Sequence, residues 1–290
     1  MQGMKHLPGG VFLMGSEHFY PEERPRRRER IDSFWIDETP VTNRQFAAFV
    51  EATDYRTCAE VAPNCADYPG MDLKLAKPGS LVFTETSGPV NLLDFRQWWQ
   101  FKTGAQWRFP GGEGCTTAGL EDHPVVHVAY ADAMAFASWA GKTLPTETEW
   151  EYAARGGLDG AEFAWGDELE PHGHVLANYW RGEFPWQRQQ PHRWNRTSPV
   201  RSFPPNGYGL YDMIGNVWEW TCDTYSLARA RGEAPCCGPA HSANSPSHKV
   251  VKGGSHLCAA SYCQRYRPAA RSPQAVDTSS SHIGFRCVVR

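Results

Sequence analysis

The chain has 290 residues, 41% of them hydrophobic, with 12 Trp, 11 Tyr and 14 Phe to fill a core and 27 Gly and 22 Pro to break it into turns. Its formal net charge of -3 gives no basic field for nucleic acid, and no run approaches the roughly 18 to 20 apolar residues of a membrane span, so neither partner is expected. No stretch reads as a linker, which predicts one compact domain over 1–290 with little regular structure per residue.

Residues 1–10 lack the apolar run and small-residue cleavage site of a secretory leader. The nine cysteines, an odd and scattered set, read as reduced thiols of a cytoplasmic protein rather than as a disulfide framework.

In chain order, residues 10–14 read as a short strand of β-formers, as do 33–36. Between them the basic run 24–30 is interleaved with acids and reads as a solvated loop or edge strand. Thr42 with Gln45 forms a capping box that opens a helix to about Thr53, turning Phe46, Phe49 and Val50 to one face. Residues 63–114 are rich in Gly, Pro and Trp without a clear period, and predict a long ordered surface excursion. Trp98, Trp99 and Trp107 within it either pack on the body or floor a peptide groove. Residues 125–128 read as a strand. Helix 131–140 follows with Gly141 as its C-cap, and Thr146 with Glu149 caps a third helix that stops at Gly156-Gly157. Further strands are expected at 249–252 and 284–288. Helices mixed with scattered short strands predict an α+β fold.

Chemistry concentrates at 252–267. Fully extended, Cys258 and Cys263 would stand about 16 to 18 Å apart, so they cooperate only if the chain turns between them, which the small Ala259, Ala260 and Ser261 permit. Two thiols brought together suit a soft ion such as Cu(I), or can close a disulfide. Spacing alone leaves both open beside a third reading, two unrelated buried thiols. Gly253-Gly254 either forms a mere bulge or lets a backbone approach closely, with the Ser255 hydroxyl in reach of the sulfurs.

At 211–219, Asp212 and Glu219 flank a Gly-containing turn with carbonyls between them. The residues alone allow a turn with exposed acids or the hard-oxygen surroundings of Ca²⁺. Adjacent Cys236 and Cys237, followed by His241 and His248, fit no standard zinc spacing, and Cys58 with Cys65 is no better.

The segment KGGSHLCAASYCQRYRPAARS (252–272), followed by DTSSSHIGFRC (277–287), is similar to the active-site segment of formylglycine-generating enzymes, also called sulfatase-modifying factors. The resemblance extends through LPGGVFLMGS (7–16), PVTNRQFAAFV (40–50), HPVVHV (123–128), WAGKTLPTETEWEYAARGG (139–157), NYWRGEFP (178–185) and PPNGYGLYDMIGNVWEW (204–220). It implies a single domain of that family's fold, related to C-type-lectin-like folds. Many relatives share the WEW and GFR landmarks without the two cysteines, so the pair separates a catalyst from a cousin in fold.

The resemblance further implies copper- and oxygen-dependent oxidation of a cysteine in an unfolded sulfatase segment, Cys-x-Pro-x-Arg, to Cα-formylglycine. Cys258 and Cys263 would hold Cu(I), and molecular oxygen and an external thiol or other reductant would be partners. Ser255 would lie beside the metal, while Trp218 and Tyr262 would line the pocket. Asp212, the carbonyls of Gly215 and Val217, and Glu219 would hold a structural Ca²⁺. A second calcium site would use the Asn178 side chain and the Tyr179 carbonyl, with His192 standing where an Asp is expected and Trp194 at a further carbonyl. Imidazole suits a hard cation poorly, which argues against that second site. Positions that carry disulfides in secreted relatives are Ala154 and Pro268 here, and Cys287 lacks its partner.

Three other readings stand beside this one, the first a thiol-disulfide oxidoreductase, although the pair lacks the short Cys-x-x-Cys spacing that tunes such sites. A sulfoxide synthase on non-haem iron would carry an added His-bearing domain. A non-catalytic calcium-binding module related to C-type lectins would dispense with both cysteines.

Overall fold

The computed structural model describes residues 3–72, 75–189, 194, 196–226 and 247–290. Its N-terminal half runs β1 (Met4–Leu7), β2 (Gly10–Met14), β3 (Arg27–Ile31), β4 (Phe34–Asp37), α1 (Asn43–Thr53), β5 (Gly79–Phe83) and β6 (Trp99–Thr103). There follow α2 (Tyr130–Trp139), α3 (Glu147–Arg155), β7 (Trp218–Thr224), β8 (His248–Lys252), β9 (Arg271–Ala275), β10 (Ile283–Gly284) and β11 (Val288–Val289). Among the described residues the strands form a three-stranded sheet β1-β4-β11, a four-stranded sheet β10-β7-β8-β9, and the hairpins β2-β3 and β5-β6. The α+β expectation therefore holds, and none of the helices among the described residues is long and apolar enough to cross a membrane.

The caps predicted from sequence start two helices. Thr42 Oγ1 accepts from Gln45 N at 3.3 Å while Gln45 Oε1 accepts from Thr42 N at 2.9 Å, and Thr146 with Glu149 repeats the exchange at 3.1 and 2.7 Å. α3 then stops at Gly156, whose φ of 58° is left-handed. The basic run becomes the edge strand β3, paired antiparallel with β2.

Three expectations need correction. Residues 125–128 form no strand: His127 sits at φ 60° and breaks the extended run. Their backbone instead reaches two separate partners, Val41 O from Val125 N and Ser280 O from His127 N, each at 2.9 Å. The strand expected at 284–288 is two strands, because β10 pairs parallel with β7 while β11 crosses to β4. The excursion 63–114 contains the β5-β6 hairpin, in register from Gly79 opposite Thr103 to Phe83 opposite Trp99.

The main core joins both helical ends to the sheets. Phe46 of α1 stacks on Phe136 of α2 at 5.9 Å and meets Phe285 and Trp107 edge-on. A second cluster gathers Phe83, Trp98, Trp180, Phe184, Leu257 and Ala259. Its last two members flank Cys258 and so tie the hairpin and the 178–185 loop to the thiol segment.

Buried charges are matched rather than avoided. Arg286 grips Glu219 through Nε to Oε2 at 2.7 Å and Nη2 to Oε1 at 2.8 Å, and Trp150 Nε1 donates to Oε2 at 2.7 Å. Lys252, the last residue of β8, puts Nζ 3.0 Å from Glu151 and 3.5 Å from Glu147. Arg271 holds Glu147 at 2.8 and 2.9 Å, and Arg155 holds Glu151 at 2.7 Å. These contacts pin the end of β8 to α3, which fixes where the next residues begin.

A candidate active site at two unbonded thiols

Gly253 and Gly254 leave β8 at φ 91° and 70°. A Cβ on Gly253 would sit 2.8 Å from Met213 O and 2.9 Å from Trp150, and one on Gly254 would sit 2.6 Å from Arg265 O. Only glycine fits this close passage. Beyond it the chain turns twice. Cys258 N donates to Ser255 O at 2.9 Å and Cys263 N to Ala259 O at 2.8 Å. The turn shortens the extended span so far that the two Sγ atoms lie 3.2 Å apart. A disulfide would be about 2.03 to 2.05 Å, so these are two separate thiols in contact.

Cys258 is 2% exposed and Cys263 half-buried. Their acidities diverge. Cys263 is lowered to about 7, first by the hydrogen bond from Cys258 and then by the Arg265 guanidinium. Cys258 is raised, chiefly by burial and then by that same bond. Cys263 is thus the more acidic sulfur of the pair and Cys258 the one that burial keeps protonated. Ser255 N also donates to Cys258 Sγ at 3.4 Å, and the Ser255 hydroxyl accepts from Leu257 N at 3.2 Å. Arg265 is held in place by Glu22 at 2.6 Å and by the face of Tyr20, 3.8 Å from the ring centre. Tyr20 Oη accepts from Gln264 N at 3.1 Å.

One wall of the site is aromatic. Tyr262 stacks on Phe184 with centroids 4.7 Å apart and planes 4° apart, and Trp98 meets both edge-on at 5.4 Å. Trp180 N donates to Cys258 O at 2.9 Å. Trp218, expected to line the pocket, opens β7 in the main core, where its N donates to His282 O at 2.9 Å.

The donor set suits a soft monovalent ion, since it offers two sulfurs, one of them acidified by its surroundings. Among the described residues no third His, Cys, Asp or Glu joins them.

The hard-ion sites fit less well. Around Asp212, the loop is strained into left-handed φ at Asp212, Gly215 and Asn216. The Asp212 carboxylate accepts from Arg201 N at 2.9 Å and Asn216 Nδ2 at 3.3 Å, which leaves acceptor capacity on both oxygens. Glu219, by contrast, is already neutralised by Arg286, and only Oε1 keeps a lone pair. Asp212, with backbone from Gly215 and Val217, could hold Ca²⁺, with Glu219 contributing at most one oxygen shared with Arg286.

The second calcium set does not fit. Asn178 Oδ1 accepts from Arg188 Nη2 at 3.4 Å, Asn178 O accepts from Asn216 N at 2.8 Å, and the Tyr179 hydroxyl donates to Glu170. A guanidinium stands beside the amide oxygen that a cation would need, while His192 lies outside the described residues. So do Cys236, Cys237 and His241.

Sequence reasoning gave no role to Tyr20, Glu22, Arg265 or Phe184, while Trp98, read as core or groove floor, stands in the aromatic wall. The signal for Glu22 was the acidic pair Glu22-Glu23 beside the basic run, whose members reach Arg265 and Arg267.

This fold and thiol pair define a protein of the sulfatase-modifying class. The family described as Sulfatase-modifying factor enzyme 1-like domain matches residues 1–290, and the chain belongs to it. It is similar to the Formylglycine-generating enzyme of Mycobacterium tuberculosis, 53% identical over 288 residues that cover 97% of this chain and 96% of that protein. The Formylglycine-generating enzyme of Streptomyces coelicolor is 46% identical over 290 residues, covering 99% and 88%. PvdO from Pseudomonas aeruginosa shares the fold, with a TM-score of 0.62 over 98% of this chain and 93% of its own at 24% identity.

Proposed function

We propose that this chain oxidises a cysteine in a Cys-x-Pro-x-Arg segment of an unfolded sulfatase to Cα-formylglycine, activating the sulfatase. The observation that carries the reading is the unbonded pair Cys258 and Cys263, 3.2 Å apart, in a family whose similar members bear the name Formylglycine-generating enzyme. Cys258 and Cys263 would hold Cu(I). Bound there, the ion would supply activation of molecular oxygen and a further position for a sulfur ligand.

The balance of the reaction is that –CH₂SH, O₂, two electrons and two protons become –CHO, H₂S and H₂O. An external thiol supplies the electrons and ends as its disulfide. The chain's own residues bind and shield. Cys263 and Cys258 present adjacent sulfurs, and Ser255 N–H donates to the inner one. The Tyr262, Phe184 and Trp98 wall would keep bulk water from the oxidising centre, and Trp218, which shares the main core with Cys258, would be a further pocket residue. Asp212, Gly215, Val217 and Glu219 would hold a structural Ca²⁺, away from the chemistry. The free state of every described cysteine favours a reducing, cytoplasmic setting.

Incubating copper-loaded protein, oxygen and a thiol with a Cys-x-Pro-x-Arg peptide tests the reading. The peptide should lose the mass difference between –CH₂SH and –CHO, and Cys258→Ser should abolish that loss. Unchanged peptide mass with the wild-type protein contradicts it.

A further inference from the structure

The loop that joins β5 to β6 carries a surface that the chemistry at the thiols does not use. It is closed at its base by Thr84 N donating to Trp98 O at 2.8 Å, and tied to the 178–185 loop by Thr86 N donating to Pro185 O at 3.1 Å. Its apolar residues part into two sets. Val90 and Leu92 turn inward onto the aromatic cluster that contains Leu257 and Ala259, the neighbours of Cys258. Leu93 and Phe95 turn outward, 93% and 59% exposed. Phe95 begins a short turn that ends in Trp98, whose N donates to Phe95 O at 3.3 Å and whose ring lies 5.4 Å from Tyr262. Tyr262 is itself 40% exposed and precedes Cys263 in the chain.

Exposed leucine and phenylalanine scattered singly mean little. Here both stand on one rigid loop that continues into the aromatic wall of the thiol site. Asn91 holds the loop's shape, with Leu93 N donating to Asn91 Oδ1 at 3.0 Å and Gln97 Nε2 to Asn91 O at 3.2 Å. The outward side chains are therefore presented by a fixed backbone, at little ordering cost on binding.

We propose that Leu93 and Phe95 form a docking ledge for apolar side chains of the unfolded substrate chain that flank the cysteine to be modified. The inference rests on the function proposed above and extends it to substrate recognition. Because Cys258 is buried and Cys263 half-buried, a cysteine reaches them only on an extended, unfolded segment. Such a segment exposes residues that its own folding would later bury. An apolar ledge beside the entrance thus selects unfolded chains over folded ones by the same burial that drives their folding.

The test compares two peptides that share the Cys-x-Pro-x-Arg core, one of five residues and one lengthened on both sides with Leu, Val and Phe. The ratio of kcat/KM, long over short, should fall roughly tenfold in the double variant Leu93→Asp, Phe95→Asp, as expected for losing burial of one or two apolar side chains. Leu158→Asp, an exposed apolar position outside the loop, should keep the wild-type ratio. An unchanged ratio in the double variant overturns the ledge. So does a wild-type dimer, seen by sedimentation, that the double variant dissolves, since a second copy would then be the occupant. Fluorescence anisotropy of the labelled long peptide with each protein reads the same contrast without turnover, so that failure of the reaction and failure of the ledge are told apart.

Discussion

His127 shows how a single residue can tie the site's surroundings to pH. It is fully buried, and its ring is neutral with an assigned tautomer: Nε2 donates to Pro110 O at 2.9 Å and Nδ1 accepts from Ser80 Oγ at 2.8 Å. Burial pushes its pKa from 6.5 down to about 4. The unfolded chain therefore binds a proton between those values that the folded chain refuses. The stability this neutral ring contributes is fully present above pH 6.5 and is lost as pH falls toward 4, by about 3 kcal/mol in all. Urea unfolding at pH 7 and pH 4 should show that loss, and His127→Asn should show a smaller one. Equal pH dependence in both proteins contradicts the assignment. The cysteine pair was legible in sequence as possible partners only, because the turn that joins them starts where Gly253 passes Met213 and Trp150, contacts from distant parts of the chain.

Among elements, the legible ones were those that carry their own local signal. α1 and α3 announce themselves by capping boxes and an apolar face, and both appear where expected. β1, β7 and β9 were missed because what makes them strands is their partners: β7 takes β8 on one side and β10 on the other, and its sequence also reads as a turn with acids. Charge matching across elements was equally hidden. Arg286, just before β11, neutralises Glu219 of β7 inside the core, so removing one partner leaves a buried charge alone. Arg286→Met should destabilise the fold by about 3 to 5 kcal/mol, against a much smaller loss for the paired change with Glu219→Gln. Thermal or denaturant unfolding of the two variants decides this. A single variant no less stable than the double would show that the pair is not what holds β7.

At the scale of the whole molecule, two aromatic clusters and a belt of buried ion pairs do what long helices and wide sheets do in more regular folds. They bring three remote pieces, the β5-β6 loop, the 178–185 loop and residues 252–267, to one place around two sulfurs. Composition foretold a Gly- and Pro-rich body with few regular elements, and the resemblance to sulfatase-modifying factors pointed to Cys258 and Cys263 as the candidate site. It did not foretell that Arg188 would stand beside Asn178, nor that Arg286 would claim Glu219. The sequence motif specifies residue types, whereas occupancy by a cation depends on which charge the folded chain already supplies.

The central claim, that Cys258 and Cys263 act together as a soft-metal site, is tested most directly by titrating Cu(I) against a competing chelator. The wild-type chain should bind one ion strongly, and Cys258→Ser and Cys263→Ser should each lose it. Equal affinity in the wild type and both variants, or no binding in any of them, would contradict the account.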